Sequence, residues 1–201
     1  MFWRAGERVA ARPVPFDADR PAVEAARRDP RRFDALYRKY VGQVYSFAVY
    51  ELRDHHLAED VTEQVFLRAL AALPRFEERG EGPDSTFRVW LFRICRNAIS
   101  NERRRAARRR EAPLDVAELL PATDDPAARV ADREAAARAW KAVERLPADR
   151  RQALVLRFVE EMTTPEIAAV MGRSEGAVRV LVHRALRAVA ADLRPGPGRG
   201  R

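Results

Sequence analysis

Cysteine is almost missing from this chain, and so is lysine. The single cysteine, Cys95, cannot close an internal disulfide, and with only three scattered histidines it forms no metal-ligand cluster. No cofactor or metal is expected, and Cys95 reads as a small buried apolar residue. No apolar run approaches the length of a membrane span, and the N-terminus lacks the apolar core and small-residue cleavage site of a secretory leader. These absences predict a cytoplasmic protein without membrane insertion. No stretch alternates apolar and polar residues long enough to propose a sheet, and no internal repeat is visible. Lys39 and Lys141 are the only lysines among 38 basic residues. Arginine suits bidentate phosphate or guanine contacts, but it also accompanies a GC-rich genome, so the bias alone says little about function.

What is present is unevenly charged, and the unevenness marks the organisation. The net charge is +8. Residues 31–110 hold 17 basic and 11 acidic residues, and residues 141–201 hold 12 and 7. Between these blocks, residues 111–135 hold 2 basic and 7 acidic residues and are interrupted by Pro113, Pro121 and Pro126. Their apolar content is too sparse for a core. The pattern predicts a first domain over 31–110, a flexible acidic linker over 111–135 and a second domain over 136–193. Residues 1–30, with mixed charge and Pro13, Pro15 and Pro21, read as a flexible extension, and 194–201 as a flexible tail.

The periodic segments are helical throughout, so an all-α fold is expected. Phe33, Leu36, Tyr37, Tyr40, Val44, Phe47 and Ala48 recur at three and four residues and predict a helix over about 31–52. A second, over about 56–72, turns Ala58, Val61, Val65, Ala69 and Leu73 inward and stops at Pro74. After a polar loop over 75–86 comes FRVWLFRICRNAISNERRR. At about 100° per residue, Phe87, Leu91, Ile94 and Ala98 make a core stripe. Trp90, Arg93, Asn97, Asn101 and Arg104 share a neighbouring face. Guanidiniums neutralise phosphates, aromatic rings stack on unpaired bases, and carboxamides read base edges. That face has the chemistry to hold an opened nucleic-acid strand, although a solvated basic helix face would have the same look.

The second domain carries an independent signal. A helix over about 133–146 is ended by Pro147, and another over 148–159 turns Leu154, Val155 and Phe158 inward. Then follows MTTPEIAAVMGRSEGAVRVLVHRAL. Thr163 and Glu166 make a capping box with Pro165 in the first turn, Gly172 ends the short helix, and Ser174 starts the next. This is helix-turn-helix spacing. On the last helix Val178, Leu181, Val182, Ala185 and Val189 face inward, while Glu175, Arg179, His183 and Arg187 line another face. A reading helix of this kind places its early residues on base edges and its later cations on phosphate.

Taken together, these segments resemble the extracytoplasmic-function branch of the bacterial sigma-70 family. FDALYRKYVGQVYSFA and AEDVTEQVFLRAL are similar to the first helices of region 2, FRVWLFRICRN to its WLxxIxxN signature, and LPADRRQALVLRF with EIAAVMGRSEGAVRVLVHRA to region 4. The resemblance implies two small helical domains, region 2 and a helix-turn-helix region 4. It implies that Asp60, Glu63, Gln64 and Phe66 dock on the β′ coiled coil of core RNA polymerase. It implies that region 2 recognises the −10 element and traps non-template bases, with a pocket in the loop 75–86 and Arg88, Trp90, Arg93, Asn97, Asn101 and Arg104 beside it. Region 4 would bind the −35 duplex through Ser174, Glu175, Ala177, Arg179, His183, Arg184 and Arg187, and the polymerase β flap as well. Promoter DNA, core RNA polymerase and an anti-sigma factor are the implied partners, and no catalytic activity is implied. Asn101, Ala177 and Leu181 depart from the residues common at those places, which touches the details of base readout.

Two other classes remain open at this level. A stand-alone helix-turn-helix regulator would account for 163–190 but leave 58–70 and 87–105 without a purpose. A DNA-processing enzyme lacks support in the first domain, which offers no clustered carboxylates, no nucleophile context and no metal set.

Overall fold

The structure, a computed structural model, describes residues 19–77, 86–109 and 128–194. Every regular element among these is helical. In chain order they are α1 (Arg20–Arg28), a 3₁₀ turn (Pro30–Phe33), α2 (Asp34–Leu52), α3 (His55–Ala72), a second 3₁₀ turn (Leu73–Arg75), α4 (Thr86–Arg109), α5 (Ala128–Glu144), α6 (Ala148–Leu154), a π-helical turn (Val155–Val159), α7 (Thr164–Met171) and α8 (Glu175–Leu193).

Helix α1 corrects the expectation that residues 1–30 form a flexible extension. Its Val23 and Ala26 are buried, three residues apart on one face. Ahead of it, the buried Asp19 accepts hydrogen bonds from the Tyr40 hydroxyl and the Lys39 ammonium of α2. Arg27 Nε donates to the Leu73 carbonyl at 3.2 Å. Two apolar residues are too short a stripe to stand out among prolines and charges, but a buried, fully engaged carboxylate is enough to tie the helix down. Residues 1–18 lie outside the described part.

Helices α2, α3 and α4 form the three-helix unit expected from the periodicity. Asp54 caps α3, accepting from the Leu57 amide at 3.0 Å. Pro74 falls in the 3₁₀ turn that closes it. The core is strongly aromatic. Tyr40 packs on Phe87 at 5.8 Å between ring centroids, Phe47 on Phe92 at 5.6 Å, and Phe76 edge-on to Phe87 at 5.9 Å. The loop 75–86 lies mostly outside the described residues, as do 110–127, the larger part of the expected linker. Helix α5 begins at Ala128, inside the span assigned to that linker.

In the second domain the helix-turn-helix is built as its sequence indicates. Thr163 and Glu166 form the reciprocal capping box, with Glu166 Oε2 2.8 Å from the Thr163 amide. Gly172 adopts φ 64°, the left-handed conformation that ends α7 without a Cβ penalty. Ser174 caps α8, accepting from the Ala177 amide. One expectation fails here. Phe158 is exposed, at 59%. The chain changes from α to π winding at Val155, with the Glu160 amide bonded to the Val155 carbonyl at 3.1 Å. This extra residue in the turn rotates Phe158 outward and keeps Leu156 in the core.

The two domains are not merely tethered. Leu156, Met162, Ile167 and Met171 belong to the same continuous core as Phe47, Phe92 and Ile99. Helix α7 packs on α4, and the π turn on α2. Polar contacts ring this contact zone: Arg96 Nε donates to Gln152 Oε1 at 2.9 Å, and Arg53 Nη2 donates to the Glu144 carbonyl at 2.6 Å.

Candidate nucleic-acid and polymerase interfaces

Three surfaces carry the residues singled out by sequence. The first is the outer side of α4. Arg93, Asn97, Asn101 and Arg104 are all exposed and follow one another at helical spacing, so the structure brings them together as one strip. Arg104 Nη1 approaches Asn101 Oδ1 at 3.5 Å, leaving the strip open to solvent. Trp90 heads the strip but is half-buried, tilted against Phe76 at 4.9 Å and Phe87 at 5.6 Å between centroids. Its indole is therefore held by core rings on one side, which fixes its orientation.

Arg88 does not join this strip. It turns toward the second domain, where it donates to the Glu160 carbonyl and lies 3.8 Å from the Glu166 carboxylate, with 18% of its side chain exposed. The spacing gives the physical reason. Arg88 precedes Arg93 by five residues, about 140° around the helix, so it faces the side on which α7 packs.

The second surface is a groove between α2 and α3, of about 600 Å³, lined by Phe33, Tyr37, Val41, Phe66, Leu67 and Leu70 and edged by Asp34, Glu59 and Glu63. Asp60 and Glu63 are exposed on α3; Gln64 is half-buried and accepts from Arg68 at 3.5 Å. Phe66 is buried at 5% exposure, edge-on to Tyr37 at 4.8 Å and Phe33 at 6.3 Å. It forms the floor of the groove, while the exposed apolar side chains on it are Tyr37 and Leu67. Sequence reasoning passed over Leu67, whose signal was an apolar residue on the polar side of the α3 stripe.

The third surface is α8. Ser174, Glu175, Arg179, His183, Arg184 and Arg187 are exposed and Ala177 is half-buried at the first turn. Val178 and Ala185 are buried beneath, with Leu181, Val182 and Val189 half-buried. Arg179 Nη2 pairs with Glu175 Oε2 at 2.7 Å, an exposed contact one turn apart that a phosphate or base edge would readily displace.

The sequence also gave no hint of a carboxylate shared between the domains. Glu51, at the end of α2, is buried and paired with Arg103 of α4 and, at 3.6 Å, with Arg151 of α6. Burial lowers the Arg151 pKa, partly offset by Glu51. Cys95 is wholly buried and its thiol is pushed up, chiefly by that burial and then by Glu160 and Glu51. A thiol so held is a poor nucleophile, in keeping with a packing role.

The known proteins that resemble this chain agree on one family. The model of sigma-70 region 2 matches residues 36–109, and that of sigma-70 region 4 matches residues 136–189. The RNA polymerase sigma-H factor of Pseudomonas aeruginosa is 33% identical over 191 residues, 89% of this chain and 95% of that protein. The chain belongs to the sigma-70 family, in its extracytoplasmic-function group. The ECF RNA polymerase sigma factor BldN of Streptomyces coelicolor is 32% identical over 80% of this chain, which spans 60% of the length of that relative. A solved structure of CnrH in complex with the cytosolic domain of CnrY superposes with a TM-score of 0.62, at 28% identity, covering 87% of this chain and 96% of that one. The sigma factor RpoE of Bartonella quintana, solved with the anti-sigma factor NepR, gives a TM-score of 0.63 over 82% of this chain and 98% of that one; at 23% identity it speaks to the fold alone. The α2–α4 unit is thus region 2 of this sigma factor, and α5–α8 its region 4. Among the described residues no helix is long and apolar enough to cross a membrane, and no His, Cys, Asp or Glu cluster could hold a metal.

Proposed function

We propose that this sigma factor delivers core RNA polymerase to promoters through three surfaces and has no catalytic activity of its own. The groove of region 2 takes an apolar segment of the β′ coiled coil over Phe66, with Asp60 and Glu63 steering its cations and Gln64 at the edge. The strip Arg93, Asn97, Asn101 and Arg104, headed by Trp90, holds the non-template strand of the −10 element as the duplex opens. Separating a base from its stack costs a few kcal/mol, offset by stacking and polar contacts at the strip. The N-terminal turn of α8 reads the −35 duplex, with Arg179 on base edges and Arg187 on phosphate, and the β flap lies against region 4. The protein acts in the cytoplasm, and an anti-sigma factor covers it when it is idle.

The observation that carries this reading is one chain holding both an exposed arginine and asparagine strip beside an anchored tryptophan and a doubly capped helix-turn-helix with a free reading face. A stand-alone regulator would need only the second. Run-off transcription with core polymerase on genomic fragments, the chain's own upstream region included, tests it. Promoter-dependent transcripts that require both proteins are expected. Binding to DNA without association to core polymerase would overturn the reading in favour of a stand-alone regulator.

A further inference from the structure

One buried residue at the junction of the two domains, Glu160, is not used by the promoter-binding reading. Glu160 follows the π turn of region 4 and is 4% exposed, although it is charged in water. It sits against region 2. From α2 it meets Ser46, which donates a hydrogen bond to its carboxylate, and Tyr50. From α4 it meets Arg88 and Cys95. Glu51, at the end of α2, acts on the same Cys95. From α7, Glu166 shares Arg88.

Glu51 and Glu160, two of the buried carboxylates at this contact zone, are treated differently. Glu51 has two guanidiniums, those of Arg103 and Arg151. Glu160 has only the partial counter-charge of one guanidinium, that of Arg88, which it shares with Glu166. Arg88 spends a hydrogen bond on the Glu160 backbone carbonyl and is drawn toward Glu166; Glu160 Oε1, like Glu51 Oε1, has no hydrogen-bond partner among the described residues, but no second guanidinium stands by it. An ionised carboxylate left in that state is costly, and a neutral carboxylic acid is not.

We propose that Glu160 is a proton-linked latch between regions 2 and 4: the closed arrangement holds its carboxyl protonated, and loss of that proton favours release of region 4 from α2 and α4. Opening would expose Glu160 on the surface of region 4, where its carboxyl returns to the usual range near 4.5, whereas burial in the closed form pushes it up to about 7 against the opposing pull of Arg88 and Ser46. Closure therefore takes up a proton. Its stabilising contribution is complete below about pH 4.5 and is lost as pH rises through about 7. The other groups facing Glu160 do not compete in this window, since the Tyr50 hydroxyl and the Cys95 thiol are both pushed upward, away from neutrality. The three histidines, His55, His56 and His183, are exposed. Opening also breaks the contacts of Arg88 with Glu160 and Glu166; that Arg88 then meets promoter DNA rests on the function proposed above, but the latch itself does not.

The test uses the full chain labelled at Ala71→Cys on α3 and Ala191→Cys on α8, both exposed positions, with single-molecule energy transfer read from pH 6 to pH 8. The closed-to-open ratio should fall about tenfold across this range. Glu160→Gln, which keeps the shape and removes the charge, should hold the ratio at its acid value at every pH. Helix content by circular dichroism, measured on the same samples, should not change. A ratio that is flat with pH in the parent chain, or that keeps its full slope in Glu160→Gln, overturns the latch. A chain that opens with pH yet fails to direct transcription would leave the latch standing and remove the promoter reading.

Discussion

Regions 2 and 4 both hold an exposed polar strip on a helical frame, with unequal means. Region 2 stands on its own aromatic core: Tyr40, Phe47, Phe87 and Phe92 are all essentially inaccessible. Region 4 has only a small private cluster of Leu146, Leu154 and Ala185 with half-buried neighbours. Its largest buried side chains, Leu156, Met162 and Ile167, pack into the core it shares with region 2. Small units bury a smaller share of their surface and are only marginally stable alone. The difference teaches that the closed contact is part of region 4's stability as well as a matter of geometry. It also explains the contrast between α4 and α8. Helix α8 is free along its outer side, whereas α4 offers one side to solvent and gives the other, with Arg88 and Arg96, to region 4.

The largest effect that could break this comparison is in the shared core. Phe92→Ala removes a fully buried ring that meets Phe47 and lies under the Arg88 guanidinium. It should cost about 3–5 kcal/mol of stability, and amide hydrogen exchange should show protection falling in α7 as well as in α2. Loss confined to region 2 would mean that region 4 does not lean on it. Phe66→Ala should cost about as much, because the ring is the floor of the groove rather than a projecting anchor. Leu67→Ala, at 59% exposure, separates the two roles: thermal stability should be unchanged while affinity for core polymerase drops by about 1–2 kcal/mol in titrations of labelled sigma factor.

On region 4, Arg179→Ala should cost about 1–3 kcal/mol and relax preference at one or two −35 positions. Arg187→Ala should weaken binding evenly across sequences and reduce the salt slope by about one. Single-base −35 variants titrated at two salt concentrations distinguish these, and an even loss for Arg179→Ala would reassign it to the backbone. The smallest effect expected is at the α7 cap. Thr163→Ala should lower stability by about 1 kcal/mol in chemical denaturation, with DNA binding recovered once the chain is folded.

Much of this was legible before the structure, and for identifiable reasons. Caps and turns are local chemistry, so Thr163, Glu166, Gly172 and Ser174 announced the helix-turn-helix by themselves. The apolar stripe of α4 fixed which side meets the core, and with it the outward direction of Arg93, Asn97, Asn101 and Arg104. What stayed hidden depends on contacts distant in sequence. Helix α1 needs Asp19 to meet Lys39 and Tyr40, Phe158 turns outward because a π turn adds a residue, and Arg88 and Glu160 meet only when the two regions close. No period or spacing encodes those meetings.

The central claim is that the exposed strip of α4 holds an opened strand, and permanganate reactivity of promoter thymines measures it most directly. With holoenzyme carrying Arg93→Ala and Asn97→Ala, thymine reactivity within the −10 element should appear more slowly and to a lower extent, while binding of the closed complex falls much less. Normal reactivity accompanied by weakened duplex binding would contradict the account and make the strip a duplex-binding face.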